Sequence, residues 1–421
     1  MSKILIARAA PLVLAAPLAA PLAAPAIVHM EAYANGLTNM IPTFYRVIDT
    51  ISRELTGFVT SVMINGDGLE RVAIGQNISW HKSGPLTASD VQQQMTVDTP
   101  SDINPGTDTM SITKSRKVDF YMTGEDQRKL QAPGVGSAAL ASSTFAQALR
   151  TLVNEVENDI AIEMYTAASR ATGTAGTTPF GSDIGATADI RKILDDNGSP
   201  PGLRSLIINT ATAANMRKLG HLNKVNEAGD EMSLRQGELD NLHNFVIKES
   251  GCATFRAGHT KGTASGATTN SAGYAVGATV ITLASAGTGT IKAGDVITFA
   301  GDTNKYVVAS GDADVSNGGT ITLCAPGLLV AIAASATNIT VGNSYMPNVA
   351  FSQDAGRLLI RPPAKPEQGD ARIDEYIIVD PRSGLPFEVS LWAGQRMVVF
   401  QVAAAWGAKN VKEDNTALML G

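Results

Sequence analysis

The stretch "SSTFAQALRTLVNEVENDIAIEMYTAASR" (residues 142–170) is the clearest helix in the chain. Phe145, Leu149, Leu152, Val156 and Ile160 recur at three- and four-residue steps, with Ala148, Val153 and Met164 flanking the stripe. Ser142 or Ser143 can cap its start. At 1.5 Å per residue such a helix runs roughly 40 Å, long enough to be the spine of a domain. What lies on either side of it differs sharply.

Upstream, "RVAIGQNISWHK" and "TMSITKSRKVDFYM" read as strands rich in Thr, Val, Ile and aromatics. The polar span between them, Pro85 to Thr113, holds Asp90, Asp98, Asp102 and Asp108 but neither Lys nor Arg. The return begins "KSRK", with Lys114, Arg116 and Lys117. The reading is a long two-stranded arm with an acidic tip and a basic stem. Those seven residues are the candidates for a contact between subunits; a solvated hairpin whose charges do nothing is the alternative. Before the arm, Ile41, Phe44, Ile48, Ile51, Leu55 and Phe58 predict an amphipathic helix or helix pair from Leu37 to Phe58, with Pro42 in a first turn.

The first 34 residues stand apart. Lys3 and Arg8 precede an Ala/Leu/Pro run that superficially resembles a signal peptide. Pro11, Pro17, Pro21 and Pro25 break it, so a continuous spanning helix is not expected. An export signal, a disordered extension, and an upstream start before Met30 or Met40 all fit. No later stretch is long and apolar enough to span a bilayer.

Downstream, "DIRKILDD" reads as helix, "NGSPPG" as turn, "RSLIIN" as strand, "TATAANMRKLG" as helix and "NFVIKES" as strand. A module almost without charge follows: from Gly262 to Tyr345 the ionised side chains are Lys292, Asp295, Asp302, Lys305, Asp312 and Asp314. Within it "GTIKAGDVITFAGDTNKYVV" (residues 289–308) is strand, turn, strand. Val280, Thr282, Val296, Phe299, Tyr306, Val308, Ile321 and Leu323 are its expected core. Scarce charge makes open strand edges a hazard, so closure into a barrel-like sheet, or packing on a neighbour, is expected. The strands "RLLIRPP", "EYIIVD", "PFEVSLW" and "RMVVFQVAAAW" then restore the earlier character, which makes the module an insertion able to fold on its own.

The totals bound the function. A chain of 421 residues allows two or three domains. Charged residues are 17%, below the usual quarter. A net charge of −6 provides no basic field to hold nucleic acid tightly. Two cysteines, Cys252 and Cys324, read as free thiols.

Enzyme signatures fail in turn. His29, His81, His221, His243 and His259 are scattered and form no H-E-x-x-H. There is no C-x-x-C, G-x-S-x-G or phosphate-loop motif. "GVGSAA" (134–139) matches a dinucleotide pattern but no strand precedes it. "DADVSNGG" (312–319) mimics a calcium loop with Asn317 where Gly is required. Asp195-Asp196 reads as a helix end. The chain is read as no enzyme, with no catalytic, cofactor-binding or metal residues.

The order of elements resembles the major capsid (coat) protein of tailed phages, specifically the coat family of short-tailed Salmonella-type phages. The carrying residues are "LTNMIPTFYRVIDTISRELTGF", "MSITKSRKVDFYMTGEDQRKL", "FAQALRTLVNEVENDIAIEMYTAASRA", "GTIKAGDVITFAG" and "NVAFSQDAGRLLIRPP", in order over residues 35–421. The resemblance implies an α+β fold, the tailed-phage/herpesvirus capsid fold, carrying an inserted small β-barrel-like domain. The Ala/Pro-rich extension (1–34), read as disordered or absent, departs from the family pattern, which begins near "YANGLTNMIP"; the resemblance implies an N-arm helix (35–68), an extended hairpin arm (69–125), and a spine helix with a peripheral domain (126–178). An axial α/β domain (179–255), the inserted β domain (256–345) and return strands (346–421) complete it. It further implies hexamers and pentamers of an icosahedral head, with scaffolding protein, portal protein and loosely held double-stranded DNA as partners, no membrane, and assembly in the host cytoplasm. An exported surface or adhesion protein, with a signal peptide and a β-sandwich domain, is the alternative.

Overall fold

Two sheets meet across the spine helix in a computed structural model that describes residues 55–65, 71–82, 88, 90, 93, 106–126, 137–220 and 241–421. The strands before the helix are β1 (Met63–Asn65), β2 (Asn77–Lys82), β3 (Gly106–Ser111) and β4 (Lys114–Thr123). The spine, α1 (Ser137–Thr166), leads into β5 (Arg170–Gly173), α2 (Gly185–Asp196), β6 (Arg204–Asn209), α3 (Thr210–Lys218), β7 (Phe245–Ser250) and α4 (Ala253–Ala257). The module holds β8 (Val280–Leu283), β9 (Val296–Phe299), β10 (Lys305–Ser310), β11 (Gly319–Leu323) and β12 (Ile339–Val341). β13 (Pro347–Ser352), β14 (Gly356–Arg361), β15 (Arg372–Val379), β16 (Pro386–Gly394), β17 (Met397–Asn410) and β18 (Thr416–Leu420) follow.

The spine begins earlier than Ser142 and stops at Thr166, short of the expected Arg170. Its end is set by β18: both the backbone N–H and the hydroxyl of Ser169 donate to Thr416 O, at 2.9 and 2.7 Å, which pulls the next residues into a strand. The predicted stripe is buried throughout, from Phe145 to Ile160.

One sheet runs β1-β14-β17-β16-β15, with β4 along the other edge of β17. β17 organises it. Its first half pairs with β16 and its last part with β14, while β4 runs antiparallel from Met397↔Thr123 to Trp406↔Lys114. Alternation then sorts its side chains. Phe400, Val402, Ala404 and Trp406 join the core under α1, whereas Ala405 joins Leu359 on the opposite face. Trp406 Nε1 donates to Asp159 of α1 at 2.8 Å.

The second sheet runs β7-β6-β13-β18-β5-β10-β9-β12. β6 is parallel to β7 and β5 to β18. One face meets the α1 core through Ile207, Val349, Phe351, Leu418 and Leu420. The other meets α2 and α3 through Leu206, Ile208, Ala350, Ala417 and Met419, against Ile190, Leu194 and Met216. Strands covered on both faces show no alternation, which is why "PNVAFS" and "TALML", buried at every residue, escape a periodicity search.

The module closes on itself. Ring order is β12-β9-β10-β11-β8, and residues 267–270 bridge the gap: Thr269 pairs with Leu283 on one side and Thr268 with Asn338 on the other. Ile281, Leu283, Ile297, Phe299, Tyr306, Val308, Ile321 and Leu323 fill the interior. Val280 and Thr282, expected in that core, are out of phase by one residue: Val280 is 53% exposed, and Ile281 points inward instead. Val296 is also replaced, by Ile297, and faces the spine core with Val307 and Cys324. The barrel is therefore not walled off. β10 pairs with β5 through Lys305↔Ala171 and Tyr306↔Arg170, which joins it to the second sheet by backbone hydrogen bonds.

Two further expectations change. Residues 55–62, the described part of the stretch predicted to be helical to Phe58 and the residues just after it, form bends and a turn, because Glu157 takes the backbone N–H groups of Gly57, Phe58 and Val59. Residues 1–54 lie outside the described residues. The arm's return is also two strands, not one. β3 pairs with β2, the chain breaks at Ile112–Thr113, and β4 belongs to the main sheet.

Candidate assembly surfaces

The β2–β3 ribbon, registered from Asn77↔Ser111 to Lys82↔Gly106, pairs with no other strand among the described residues. Its root is anchored. Val72, Met110 and Ile112 bury against Leu359 and Ala405, and the Arg357 guanidinium lies 4.8 Å over the Trp80 ring.

Asp108 sits on β3, where its carboxylate accepts from Lys409 Nζ at 2.6 Å. Asp90 is exposed. Asp98 and Asp102 lie outside the described residues. The basic stem lies on β4, against the spine. Lys114 Nζ meets Asp159 at 2.7 Å and Arg116 Nε meets Glu155 at 3.1 Å, while Lys117, on the other face of the strand, meets Asp119 at 2.6 Å. Glu155 and Asp159 are one helical turn apart, matching two alternate residues of β4. Between them a cleft of about 510 Å³ carries both signs of charge, with Gln147, Asn154 and Asn158 also on its wall. In the single chain the stem is thus compensated in cis, which composition alone did not reveal.

Two buried carboxylates hold distant segments together. Glu157, on α1, accepts from Gly57 N at 2.7 Å, Phe58 N at 3.0 Å, Val59 N at 2.9 Å and Ser250 Oγ at 2.7 Å. Burial pushes its carboxyl above the usual range, and the donors pull partly back. Asp295 accepts from His259 Nε2 at 2.9 Å, Lys292 N at 2.7 Å and Gly262 N at 3.0 Å. It sits at the barrel's neck, where the entering and leaving chains pair: His259 N donates to Tyr345 O and Tyr345 N to His259 O. Tyr345 Oη donates to Gly294 O at 2.7 Å. Burial keeps that phenol well above its ordinary pKa.

A third cluster ties the arm's root to the far sheet edge. Arg71 meets Glu388 at 2.5 Å and Glu375 at 3.0 Å, and Arg372 bonds Glu388, Glu375 and Asp370. Lys365, followed by the two arginines, holds Glu375 below the usual carboxylate range. Residues so far apart in sequence leave no motif.

Two of the near-miss motifs are tied into the surrounding structure. Asp312 and Asp314 cap backbone N–H groups of their own turn. Among the described residues no group of His, Cys, Asp and Glu is placed to hold a metal. Asp195 is pulled below its ordinary pKa by the buried Arg204 guanidinium, 2.6 Å away. His243 bonds Thr187 Oγ1, whereas His259 bonds Asp295 at the neck. His29 and His221 lie outside the described residues, as do the glycines of "GVGSAA".

No family model matches the sequence, and no curated protein matches it. Solved structures do. The chain is similar to one from Mycobacterium phage Che8 at 15% identity, with 88% of this chain and 92% of that one covered and a TM-score of 0.45. It is similar to the capsid of the cyanophage P-SCSP1u at 10% identity, covering 88% and 89%, TM-score 0.49. For the capsid of Myoviridae phage XM1 the values are 9% identity, 88% and 94%, and 0.43. At these identities and TM-scores the functional reading rests on the chain's own geometry.

Proposed function

We propose that this chain is the major capsid protein of a tailed phage, within the coat family of short-tailed Salmonella-type phages. It closes into hexamers and pentamers of an icosahedral shell around double-stranded DNA, assembling in the host cytoplasm with a scaffolding protein and a portal protein. One observation carries the reading: the β2–β3 ribbon, whose edges no other strand of the described residues covers, on a subunit whose early and late segments are braided through β4–β17 and β5–β18. A subunit tied together from β1 to β18 and left with an open ribbon suits a lattice in which each copy reaches over the next. Closed head-to-tail rings need two different complementary surfaces, and the ribbon supplies one. Low net negative charge lets packaged DNA slide instead of sticking. Electron microscopy of the chain co-expressed with its scaffold is expected to show closed shells. A monomer under every such condition overturns the proposal.

The seven arm residues keep their proposed role at the subunit interface. Arg116→Glu with Lys117→Glu places like charge beside Glu155 and Asp119 and reverses two of the stem's three positive charges. The expected result is weaker shell assembly with an unchanged circular dichroism spectrum, together with wild-type shells that loosen in high salt. Shells of equal stability in the double variant reject that role.

A further inference from the structure

Two arginines among the described residues are buried, and the chain satisfies them differently. Arg204 is 2% exposed, and each guanidinium nitrogen has an acceptor: Pro200 O for Nε at 2.9 Å, the Asp195 carboxylate for Nη1 at 2.6 Å and Ser199 O for Nη2 at 2.5 Å. Arg170 is 5% exposed, but its acceptors are two neutral oxygens, Ile193 O at 3.3 Å and Asn197 Oδ1 at 2.7 Å, both on Nη2. Its Nε is buried with no acceptor. Burial draws its pKa below the ordinary arginine value, and Asp196 pulls partly back. A buried charge is ordinarily paired; this one has no ion-pair partner among the described residues. Arg170 lines a cleft of about 360 Å³ at the seam between the barrel and the second sheet, where β5, α2 and the β9–β10 turn meet. Lys305, at the start of β10, donates across it to Gly173 O at the end of β5. α2 adds Asp189, Lys192 and Asp196 at three- and four-residue steps along one face. None of these five charged side chains forms an ion pair among the described residues.

We propose that this cleft binds one small oxyanion of the phosphate class, held by Arg170, Lys305 and Lys192. The donors decide the chemistry. A guanidinium with open N–H groups and two ammonium groups match an anion with several oxygens, through charge-assisted hydrogen bonds. The acids decide the size. Arg170, Lys192 and Lys305 outnumber Asp189 and Asp196 by one charge, which suits a single small anion. Duplex DNA carries a charge about every 1.7 Å and would press further phosphates onto the two acids. The anion also has a mechanical consequence. β10 and β5 pair at Lys305↔Ala171 and Tyr306↔Arg170, so a ligand shared by Lys305 and Arg170 adds a tie at that short join between barrel and sheet. The site lies within one chain and does not depend on the shell proposal.

The test uses the full chain. Inorganic phosphate, titrated calorimetrically against chloride at fixed ionic strength, is expected to bind saturably with a Kd on the order of 1 mM. Lys305→Met is expected to weaken that binding about tenfold, the loss of one charge-assisted bond. Asp189→Asn with Asp196→Asn is expected to tighten it about tenfold by removing repulsion from the α2 wall. Both acids are exposed and unpaired, so this double variant keeps its fold, and a gain in affinity is not what a merely structural disturbance produces. Arg170→Met is expected to abolish binding; because it also alters a buried position, the proposal is judged on the other two variants. No saturable phosphate binding by the wild-type chain overturns the proposal, and so does a double variant that binds no more tightly than wild type. Duplex DNA that displaces the phosphate at the same ionic strength overturns the choice of a small anion.

Discussion

Glu157→Ala is expected to lower the stability of the subunit by about 3 kcal/mol or more, read as a shift in urea midpoint with little change in slope. The side chain is 1% exposed and accepts from three consecutive backbone N–H groups and from Ser250 Oγ. Truncation leaves those donors buried without an acceptor, each costing about 1–3 kcal/mol, offset in part by no longer desolvating a carboxylate. The damage is not local. Residues 57–59 deliver Phe58, which stacks on Phe351 at 6.0 Å and meets Phe255 edge-on at 5.1 Å. Ser250 ends β7, so one carboxylate holds the early chain, the spine and the second sheet in register. Glu157→Gln keeps one acceptor oxygen but turns an NH₂ toward a donor, and its loss should be intermediate. A midpoint for Glu157→Ala within about 0.5 kcal/mol of wild type would mean that water replaces the carboxylate, and the clamp reading fails.

The sequence carried the local parts of this architecture and not its joints. The spine stripe was legible because a helix with one buried face writes a 3.6-residue period over many turns. α2, β6, α3 and β7 were legible because turn residues punctuate them. β13 and β18 were not, since strands covered on both faces lose alternation. In β8 and β9 the phase slipped: in "VITL" and "VITF" apolar or β-branched residues occupy both faces, so either parity fits, and only the bridges of Thr269 to Leu283 and of Ile339 to Phe299 decide. The charged stem shows the same limit. Lys114, Arg116 and Lys117 were visible as a basic run. Glu155 and Asp159, the partners of Arg116 and Lys114, lie on the spine helix, and only the β4–β17 pairing brings the two elements together. Glu157 had no signal, because its donors, three backbone N–H groups and the Ser250 hydroxyl, lie about a hundred residues away.

Asp295→Ala is expected to free the barrel's neck while leaving the spine core folded. Asp295 is 1% exposed and joins three points of the neck: the entering chain at His259 and Gly262, the turn at Lys292, and the start of β9. Gly262 approaches so closely that a Cβ would meet Asp295 Oδ2 at 2.6 Å and Thr290 O at 2.2 Å, so the carboxylate is packed as well as bonded. Without it, the N–H groups of Gly262 and Lys292 lose their acceptor and the His259 ring loses its orientation. The His259–Tyr345 pairing and the β10–β5 join remain, so the barrel stays tethered and its interior, built on Ile281, Ile297 and Ile321, stays intact. The expected signature is therefore regional. Amide exchange at residues 260–264 and 292–296 should quicken by about a hundredfold, the equivalent of roughly 3 kcal/mol, while amides of α1 exchange as in wild type. Limited proteolysis should cut first in the same neck. Asp295→Asn retains the shape and one acceptor, and should fall between the two. Exchange that quickens equally in α1 would show that barrel and spine unfold as one unit, and an unchanged neck would show that the paired chains at His259 and Tyr345 hold it without the carboxylate.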